Sequence, residues 1–463
     1  MTDTFQYGPG NSADDPSLDN RRETLKRKLL ASQKSRSGRS SPTHVSVAPP
    51  DRQQPASRLS GHSDPTDFTH LEEHRQIQLL EELGASQGIA SPFFRCHDGS
   101  AGPTSRISGR EVINFASYNY VGLAGDPRVN QATIDAIGRY GTSVSASRIV
   151  SGERPFHAEL EKSLAAIYGS DDALTFVSGH ATNVSTIGML LGPGDLIVHD
   201  ALIHNSVLIG AQLSGARRMP FAHNDAKALD DLLQQQRPYF RRILIVIEGL
   251  YSMDGDVPDL AAFIAVKQRH RAWLMVDEAH SLGVLGTHGM GLSEHCGTDS
   301  SDVDIWMGTL SKSLASCGGF IAGNAPLIDT LRHLAPGFLY SVGLPAQLAV
   351  PALTALTLLH AEPERVHRLR HISRYFLKAA RALGLDTGLS QGHAVTPIVL
   401  GSSTRAAHLS QALLEDGINV QPILHPAVAE RSARLRFFLN CDHRESQIDS
   451  ALARVAENLT QLP

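Results

Sequence analysis

The sequence has few of the features that mark membrane, secreted or nucleic-acid-binding proteins. Its four cysteines include no C-x-x-C pair, which excludes a zinc ribbon or a disulfide scaffold and favours a reducing, cytoplasmic location. The first residues show no basic start followed by an apolar run, so no signal peptide is expected. The net charge of -5 argues against a nucleic-acid partner. One uncharged stretch, residues 342–359, is interrupted by two prolines, so we expect a buried helix rather than a membrane span.

The remaining composition is that of a globular enzyme with a polar N-terminal extension. At 463 residues, with 41% hydrophobic and 19% charged residues, the chain can form two or three domains with their own cores. Residues 1–68 are rich in Ser, Pro, Asp, Arg and Gln and poor in aliphatic residues, so we expect them to be disordered. Within them, residues 21–30 have the charge pattern of a short basic helix. Docking on an acidic partner would explain this cluster, but a solvated tail is the simpler interpretation.

Alternating helical and apolar segments predict a mostly parallel α/β sheet. Five short apolar runs between residues 155 and 325 are separated by helical patterns, and they are residues 173–177, 195–198, 242–247, 273–276 and 303–307. Apolar strands alternating with helices are typical of parallel sheets that are covered on both faces. The runs end in polar residues, and the chemistry of such sheets gathers beyond the carboxyl ends of their strands.

The same patterns divide the chain into four parts. After the extension, residues 69–115 contain a helix with a stop signal at Gly84 and then a strand. Residues 116–345 form the predicted large domain. Residues 346–463 form a smaller α+β domain with helices and a few strands.

The run that ends in Asp277 is the first segment that points to particular chemistry. A buried strand with a terminal acid places a carboxylate in low dielectric, where the charge needs a partner. A protonated pyridine nitrogen is a suitable partner, because protonation makes the ring an electron sink. His280 follows and can hydrogen-bond the ring hydroxyl. Asp-Glu-Ala-His also occurs in nucleotide-driven helicases, but the chain has no G-x-x-x-x-G-K-[ST] loop.

Lys312 follows the next predicted strand. An amine forms an imine with an aldehyde only when it is unprotonated, which a desolvated site favours. Thr309 and Ser311 offer hydroxyl groups to a phosphate, and Gly318-Gly319 lets the backbone pass close to a cofactor. A lysine among small residues is usually structural, and only its position after Asp277 changes this interpretation. The sequence therefore predicts pyridoxal phosphate (PLP) bound as a Schiff base to Lys312.

Two further segments follow predicted strands. Gly179 and His180 open a helix, whose free N–H groups and dipole suit a phosphate, although a helix cap explains the same residues. His204 comes after the next strand, where its imidazole could stack on the cofactor ring and act as an acid or base. Taken alone, it would more often be an ordinary polar loop residue.

Together these segments resemble the α-oxoamine synthase family of fold-type-I PLP enzymes, which includes serine palmitoyltransferase and 8-amino-7-oxononanoate synthase. The resemblance covers about residues 75–460. It rests on five motifs in the family's order, namely residues 114–123, Ser151-Gly152 with 157–161, residues 248–256, residues 276–286 and residues 309–312. It implies a large domain with a mostly parallel seven-stranded sheet and a smaller C-terminal α+β domain.

The resemblance also implies a role for each matching residue. Lys312 would hold the cofactor and move the substrate's α-proton, Asp277 would pair with the ring nitrogen, and His204 would stack on the ring. The other implied cofactor contacts are Ser252 and His280 at the ring hydroxyl, Gly179, His180, Thr309 and Ser311 around the phosphate, and Ser341 toward the phosphate of a partner subunit. Arg434 would bind the amino acid's carboxylate through a charge-assisted pair, and Tyr118 would also contact the substrate. Family members are homodimers with the site at the interface.

The implied reaction is a decarboxylative Claisen-type condensation of an amino acid with an acyl thioester, which gives an α-amino ketone, carbon dioxide and a free thiol. An aminotransferase or aldolase of the same fold would need no thioester. A regulatory subunit would be expected to lack Lys312.

Several residues depart from the family pattern. Tyr118 stands where the oxononanoate and aminolevulinate enzymes carry Asn, Ala427 replaces a Thr, and Val342-Gly343 replaces a hydroxyl pair. Residues 142–148 replace a more glycine-rich stretch and resemble synthases of polyketide or fatty-acyl assembly. That likeness favours an acyl-carrier-protein or long-chain acyl donor over a small coenzyme A ester.

Overall fold

The computed structural model describes residues 66–462 together with Thr24 and Arg27. The chain divides into two compact units, Met1–Phe94 and Arg95–Pro463. Of residues 21–30, where a basic helix was considered, Thr24 and Arg27 are described, and both are helical and exposed. The rest of the predicted N-terminal extension, up to residue 65, lies outside the described residues.

The described part of the first unit is a short helical segment. A 3₁₀ turn over Phe68–His70 leads into helix α1, Glu72–Ser86, in which no residue is buried. The helix continues past Gly84, where the sequence predicts its end, and stops at Ser86. The carbonyl of Gly84 then accepts the N–H of Ile89 at 2.9 Å, so the glycine shapes the exit from the helix rather than ending it.

Within residues 95–462, the second unit contains fourteen strands in three sheets. They are β1 (His97–Asp98), β2 (Thr104–Ile107), β3 (Arg110–Asn114), β4 (Asp172–Phe176), β5 (Leu196–Asp200), β6 (Arg217–Phe221), β7 (Ile243–Glu248), β8 (Trp273–Asp277), β9 (Ile305–Thr309), β10 (Gly319–Gly323), β11 (Val395–Val399), β12 (Ile418–Asn419), β13 (Gln421–Ile423) and β14 (Arg434–Phe438).

Helices and short helical turns connect these strands. The helices are α2 (Pro127–Tyr140), α3 (Pro155–Ile167), α4 (Gly179–Leu190), α5 (Asn205–Ser214), α6 (Ala226–Gln236), α7 (Leu260–His270), α8 (Leu292–Cys296), α9 (Ala325–Leu334), α10 (Pro336–Leu339), α11 (Ala346–Ala361), α12 (Glu364–Ala382), α13 (Ser403–Glu415) and α14 (Glu445–Gln461). The short turns are a π-turn over Arg148–Gly152 and 3₁₀ turns over Arg237–Tyr239, Ser300–Asp302 and Glu430–Ser432.

The largest sheet has seven strands in the order β4-β10-β9-β8-β7-β5-β6. All neighbouring pairs are parallel except the two made by β10, which is antiparallel to both β4 and β9. The predicted mostly parallel seven-stranded sheet is therefore confirmed. Strands β6 and β10 were not predicted individually. Strand β6 is a largely exposed edge strand, and β10 begins at a glycine.

The central strands are buried on both faces, as their continuous apolar sequences require. In β7, Ile243, Ile245 and Ile247 pack into one hydrophobic cluster, and Leu244 and Val246 pack into a second. Because successive side chains of a strand point to opposite faces, the two clusters lie on opposite sides of the sheet. Each fully buried aliphatic side chain contributes roughly 1.5–3 kcal/mol, so these strands form a rigid base for the residues at their ends.

The uncharged stretch noted in the sequence lies largely in α11. This helix packs against α2 and α3, and nearly half of its residues are buried. Pro351 lies inside this helix, beyond its first turn, where it removes one helical N–H donor. The expected buried helix is therefore present, and among the described residues no helix is long and apolar enough to cross a membrane.

The topology brings four polar side chains to one edge of the seven-stranded sheet. Strands β5, β7, β8 and β9 are parallel and end at Asp200, Glu248, Asp277 and Thr309. A three-stranded antiparallel sheet, β11-β14-β13, carries Arg434 and Arg436 of β14 toward the loop after β7. A four-stranded sheet, β1-β2-β3-β12, joins the N-terminal hairpin to the C-terminal segment.

Candidate active site

A cavity of about 250 Å³ lies at this edge of the sheet. Its lining includes eight of the twelve residues that the sequence singled out, which are Gly179, His180, His204, Asp277, His280, Thr309, Ser311 and Lys312. The remaining lining residues are Ser178, Asn183, Ser206, Glu248, Ala279, Met307 and Cys317. Ser252, Ser341, Arg434 and Tyr118 lie outside this lining.

Asp277 is buried at the end of β8 and is held in one orientation. Its Oδ2 accepts a hydrogen bond from Asn183 Nδ2 at 2.9 Å, and its Oδ1 accepts the N–H of Ala279 at 3.0 Å. Asn183 lies one turn into α4 and was not assigned a role from the sequence. Two donors, one to each oxygen, hold the carboxylate in a fixed direction.

The same asparagine connects Asp277 to His204. Asn183 Nδ2 also donates to Ser206 Oγ at 2.9 Å, and that oxygen lies 2.7 Å from His204 Nδ1. His204 caps α5 by accepting the N–H of Ser206. Burial lowers the pKa of His204, so its imidazole is neutral. The hydrogen-bond chain therefore fixes a neutral, flat ring at the wall of the cavity.

Lys312 is partly buried in the loop after β9. Burial lowers the pKa of its amine from the ordinary 10.5 to about 8, and Arg436 adds to this effect, whereas the negative charge of Asp277 opposes it. The amine lies 5.6 Å from the centroid of the Tyr118 ring. A lysine with such a pKa is a nucleophile near neutral pH, which an exposed lysine is not.

The opposite end of the cavity is formed by the N-terminus of α4. Ser178 Oγ caps the helix by accepting the N–H of Ala181 at 3.1 Å, and Gly179 begins it. A Cβ atom on Gly179 would lie 3.0 Å from Thr309 Oγ1, which itself lies 2.6 Å from Ser311 Oγ. Backbone N–H groups, two hydroxyl groups and the helix dipole make this end suitable for an anion.

Gly318 and Gly319 have a packing role that was not predicted from the sequence. A Cβ atom on Gly319 would lie 2.5 Å from Thr182 Oγ1 and 2.7 Å from the Cα of Gly179. Gly318 has a φ of +136°, and a Cβ there would lie 2.9 Å from the Phe176 carbonyl. The two glycines therefore allow β10 to pack closely on α4 and β4, and the approach of this backbone to a cofactor stays a prediction.

His280 lies beside the cavity with one ring nitrogen engaged. Its Nδ1 is 2.7 Å from the hydroxyl of Tyr120, a fully buried side chain that was not predicted as a site residue. Burial lowers the pKa of His280 well below its usual value and raises that of Tyr120, so both groups are neutral. With Nδ1 fixed, the predicted contact with a ring hydroxyl would use Nε2.

Ser252 and Ser341 do not line the cavity. Ser252 is buried in the loop after β7, where its N–H donates to Glu248 Oε2 at 3.1 Å and its carbonyl accepts from Arg436 Nη1 at 3.0 Å. Ser341 is half-buried between Tyr340 and Val342, whose side chains are exposed. Its predicted contact with a partner subunit stays a prediction.

Tyr118 lines a second cavity of about 390 Å³, which shares Ser311 and Lys312 with the first. Its lining residues from Ala116 to Asn119 belong to the loop after β3. Apart from Lys312, the lining contains no Asp, Glu, Lys or Arg. Lys312 is thus accessible from two cavities, of which the second is wide and nearly uncharged.

Strand β14 carries two arginines whose guanidinium groups differ in how many of their donors have a partner. Arg434 Nη1 donates to Asp254 Oδ1 at 2.8 Å, and its Nε donates to the Ser432 carbonyl at 2.8 Å. Arg436 lies on the same face of the strand, stacks 4.7 Å over Phe438, and has a buried Nε without a partner among the described residues. Only the second guanidinium influences the pKa of Lys312. Arg436 was not predicted as a site residue.

Comparison with known proteins places these features in a family. Residues 110–455 match the model of the family described as aminotransferase class I and II. An 8-amino-7-oxononanoate synthase of Symbiobacterium thermophilum is 39% identical over 381 residues, covering 82% of this chain and 96% of the relative. A serine palmitoyltransferase of Bacteroides thetaiotaomicron is 35% identical over 378 residues, covering 82% and 95%. The structure of Sphingomonas wittichii serine palmitoyltransferase superposes with a TM-score of 0.81 at 31% identity, covering 86% of this chain and 100% of that one.

Proposed function

The chain belongs to the aminotransferase class I and II family, among its α-oxoamine synthases, and we propose that its two cavities serve the cofactor and the acyl donor of a decarboxylative condensation. The enzyme joins an amino acid to an acyl thioester and releases an α-amino ketone, carbon dioxide and a thiol. The observation that carries the proposal is Lys312, a lysine with a depressed pKa that is accessible from both cavities.

The residues of the first cavity fit PLP. Asp277 supplies a fixed carboxylate for the pyridine nitrogen, and the α4 N-terminus at Gly179 suits the phosphate. Two buried oxygens on the cavity wall, Asn183 Oδ1 and Glu248 Oε1, have no hydrogen-bond partner in the described chain. Such atoms are costly to bury unless a ligand satisfies them. When bound, PLP withdraws electrons from the α-carbon of an amino acid joined to it.

Each neighbouring side chain then has a defined task. Lys312 would hold the cofactor, and its free Nζ would accept the proton of the substrate's α-carbon. Asp277 would face the ring nitrogen and favour its protonated form. His204, positioned by Ser206, would contact the ring. His280 donates or accepts at Nε2 toward the ring oxygen, since Tyr120 fixes its other nitrogen.

We place the substrate's carboxylate at Arg436 in preference to the predicted Arg434. The partly buried guanidinium of Arg436 has a buried Nε without a partner among the described residues and acts electrostatically on Lys312. Arg434 is already neutralised by Asp254 at 2.8 Å, so binding a second carboxylate would require breaking that ion pair. Arg434 would then hold the loop after β7 against β14.

We propose that the acyl thioester enters through the second cavity. A neutral lining of small residues suits a narrow, amide-bearing pantetheine arm, and the lining ends at Lys312, where the new bond forms. The sequence of residues 142–148 favours a donor on an acyl carrier protein or with a long acyl chain. The four cysteines lie free, which supports a reducing, cytoplasmic location.

We further propose that the enzyme is a homodimer. Four large apolar side chains are exposed in two segments, with Ile149 and Val150 in one and Tyr340 and Val342 in the other. The segments lie side by side, because the N–H of Gly343 donates to the Ala146 carbonyl at 3.0 Å. Exposed apolar side chains in one patch are typical of a protein–protein interface. Val150→Glu should yield a monomer in size-exclusion chromatography with light scattering.

The proposed reaction is tested by following all products. Purified enzyme with PLP is supplied with serine, glycine or alanine and with acyl-coenzyme A or acyl-carrier-protein thioesters of several chain lengths. We expect equal amounts of carbon dioxide, thiol and amino ketone from one pairing, and no turnover by Lys312→Ala. Exchange of an amino group with a keto acid, without thiol release, would instead identify an aminotransferase.

A further inference from the structure

Glu248 is a second buried acid in the cofactor cavity, and none of the steps above uses it. It ends β7 and pairs in register with Asp277, which ends β8. Residues in register on parallel strands direct their side chains to the same face, about 5 Å apart. Only 3% of Glu248 and 4% of Asp277 are exposed. Two carboxyl groups therefore lie side by side where water is scarce.

The two acids differ in the hydrogen bonds that they receive. Both oxygens of Asp277 accept a hydrogen bond, from Asn183 and from the Ala279 N–H. Glu248 receives a single one at Oε2, from the Ser252 N–H, and its buried Oε1 has no partner among the described residues. Two adjacent carboxylates rarely ionise together in low dielectric. Glu248 receives fewer hydrogen bonds, so it is the member of the pair that keeps a proton.

Taken together, the surroundings of Glu248 raise the pKa of its carboxyl group. Burial, and after it the charge of Asp277, raises the pKa of Glu248 to about 8, to which Asp200 of β5 also contributes. Lys312 and the hydrogen bond from Ser252 oppose this shift without cancelling it. Other titratable groups near this end of the sheet include His204 and His280, which burial keeps neutral, and Arg436, whose Nη1 is bound to the Ser252 carbonyl. Tyr251 also interacts with Glu248, and burial raises the pKa of its hydroxyl well above the usual value.

We propose that Glu248 is a neutral positioning residue that donates a hydrogen bond from its unpartnered Oε1 to an oxygen of the bound cofactor, and that it leaves Asp277 as the ionised member of the pair. The proposal rests on the cofactor-binding part of the proposed function. A protonated carboxyl group can donate where a carboxylate cannot, and this donor satisfies a buried atom that is otherwise unpaired. One negative charge, rather than two, then faces the pyridine ring and Lys312.

Three variants distinguish a neutral hydrogen-bond donor at position 248 from a charged or purely structural side chain. Glu248→Gln keeps a neutral donor of the same shape, and Glu248→Leu removes it. Glu278→Gln is the matched control. Glu278 follows Asp277 in the chain and is also buried, but it accepts hydrogen bonds from Ser281 and the Leu292 N–H and does not line the cavity. PLP dissociation constants, the pH midpoint of the visible absorbance of lysine-bound PLP, and apo-protein melting are measured without substrates.

We expect the PLP dissociation constant of Glu248→Gln to lie within about threefold of the parent value, because neither a charge nor a hydrogen-bond donor is lost. The pH midpoint should stay within roughly 0.3 pH unit of the parent value. Glu248→Leu should bind PLP about tenfold or more weakly. The infrared carbonyl band of protonated carboxyl groups should lose intensity in Glu248→Gln relative to the parent at neutral pH. Because burial also raises the pKa of Glu278 to about 7, the spectrum of Glu278→Gln identifies the contribution of that residue. Glu278→Gln should leave PLP affinity and the pH midpoint as they are.

Two results would overturn the proposal. A midpoint that falls by one pH unit or more in Glu248→Gln would show that the native residue carries a charge that stabilises the protonated form of Lys312. Parental PLP affinity in Glu248→Leu would show that the residue makes no contact with the cofactor. If Glu248→Leu does not fold, the infrared band and the midpoint of Glu248→Gln decide. These measurements stand even if no condensation activity is found, since none requires an acyl donor.

Discussion

The protonation of Lys312 in the cofactor-free protein gives a direct test of the electrostatics of the site. Burial lowers the pKa of this amine to about 8 from the ordinary 10.5. At pH 7 about 9% of the amine would then be unprotonated, against about 0.03% for an ordinary lysine. The reactive fraction is therefore about 300-fold larger. The rate at which the cofactor-free protein combines with PLP should rise with pH and level off above a midpoint near 8.

Two substitutions should move this midpoint in opposite directions. Asp277→Asn removes a negative charge that favours the protonated amine, so the midpoint should fall. Arg436→Gln removes a positive charge that disfavours it, so the midpoint should rise. Because burial is the largest contribution and neither variant changes it, both midpoints should stay below that of an exposed lysine. Partial exposure of the site makes each shift on the order of one pH unit or less.

Stopped-flow absorbance at a series of pH values measures these midpoints without any substrate. Circular dichroism at each pH, and free α-acetyl-lysine reacting with PLP, provide the controls for folding and for the intrinsic chemistry. A midpoint near 10 in the parent protein would contradict the assigned burial of Lys312. Shifts of the same sign in both variants would refute the proposed arrangement of Asp277 and Arg436 around the amine.

Three further predictions concern residues outside the first cavity. Arg434→Ala should leave the amino-acid dissociation constant within about threefold of the parent, because Arg434 is occupied by Asp254, and should lower the melting temperature because a buried carboxylate loses its partner. Burial would lower the pKa of His223, but hydrogen bonds to Asp200 and Asp256 outweigh it and raise the pKa to about 10. Since the folded pKa exceeds the ordinary 6.5, this stabilisation, at most about 5 kcal/mol, is complete below pH 6.5 and is lost as pH rises through about 10. Ala315 has a φ of +54°, so Ala315→Gly should stabilise the protein by about 1 kcal/mol in urea unfolding.

Each of these predictions has a matched comparison. Arg436→Ala should weaken amino-acid binding tenfold or more where Arg434→Ala does not, and the reverse ranking would restore the role first predicted for Arg434. His223→Gln should show a flatter loss of melting temperature between pH 7 and 10 than the parent, and equal slopes would contradict a charged His223. Ala352→Gly, in the middle of α11, should destabilise the protein by about 1 kcal/mol, since its helical backbone already suits alanine.

The sequence predicts the architecture well because strand burial leaves a strong signal. Strands β5, β7, β8 and β9 are buried along their length, so their apolar runs could be read directly, and each run indicated where a site residue follows. Strand β6, Arg217–Phe221, was not predicted because it is an edge strand whose side chains are mostly exposed. Strand β10 was not predicted because Gly318 and Gly319, which its packing on α4 requires, resemble a loop in the sequence.

The residues that were missed in the site act through partners distant in the sequence. Asn183 lies on a helix and gains its role only because the fold places it 2.9 Å from Asp277. Tyr120 was visible in a motif, but its contact with His280 crosses 160 positions. For Arg434 and Arg436, alternation places both on one face, and only the contact with Asp254 shows which of them is engaged. Sequence patterns supply residue types, but these assignments need distances.

We expect the first cavity to determine the reaction and the second cavity to determine which acyl donor is accepted. The first cavity contains residues of the motifs that the chain shares with its family, and within residues 95–462 none of the noted departures lines it. Tyr118, the departure nearest Lys312, lines the second cavity instead. The chain matches relatives named for different products at similar identity, so similarity over the whole length does not decide the substrate. If the first cavity fixes the reaction, exchanging Tyr118 for Asn should change which acyl donors are accepted while PLP affinity and the pH midpoint of Lys312 remain constant. A loss of PLP binding in that variant, with donor preference unchanged, would show that the two functions are not separated in this way.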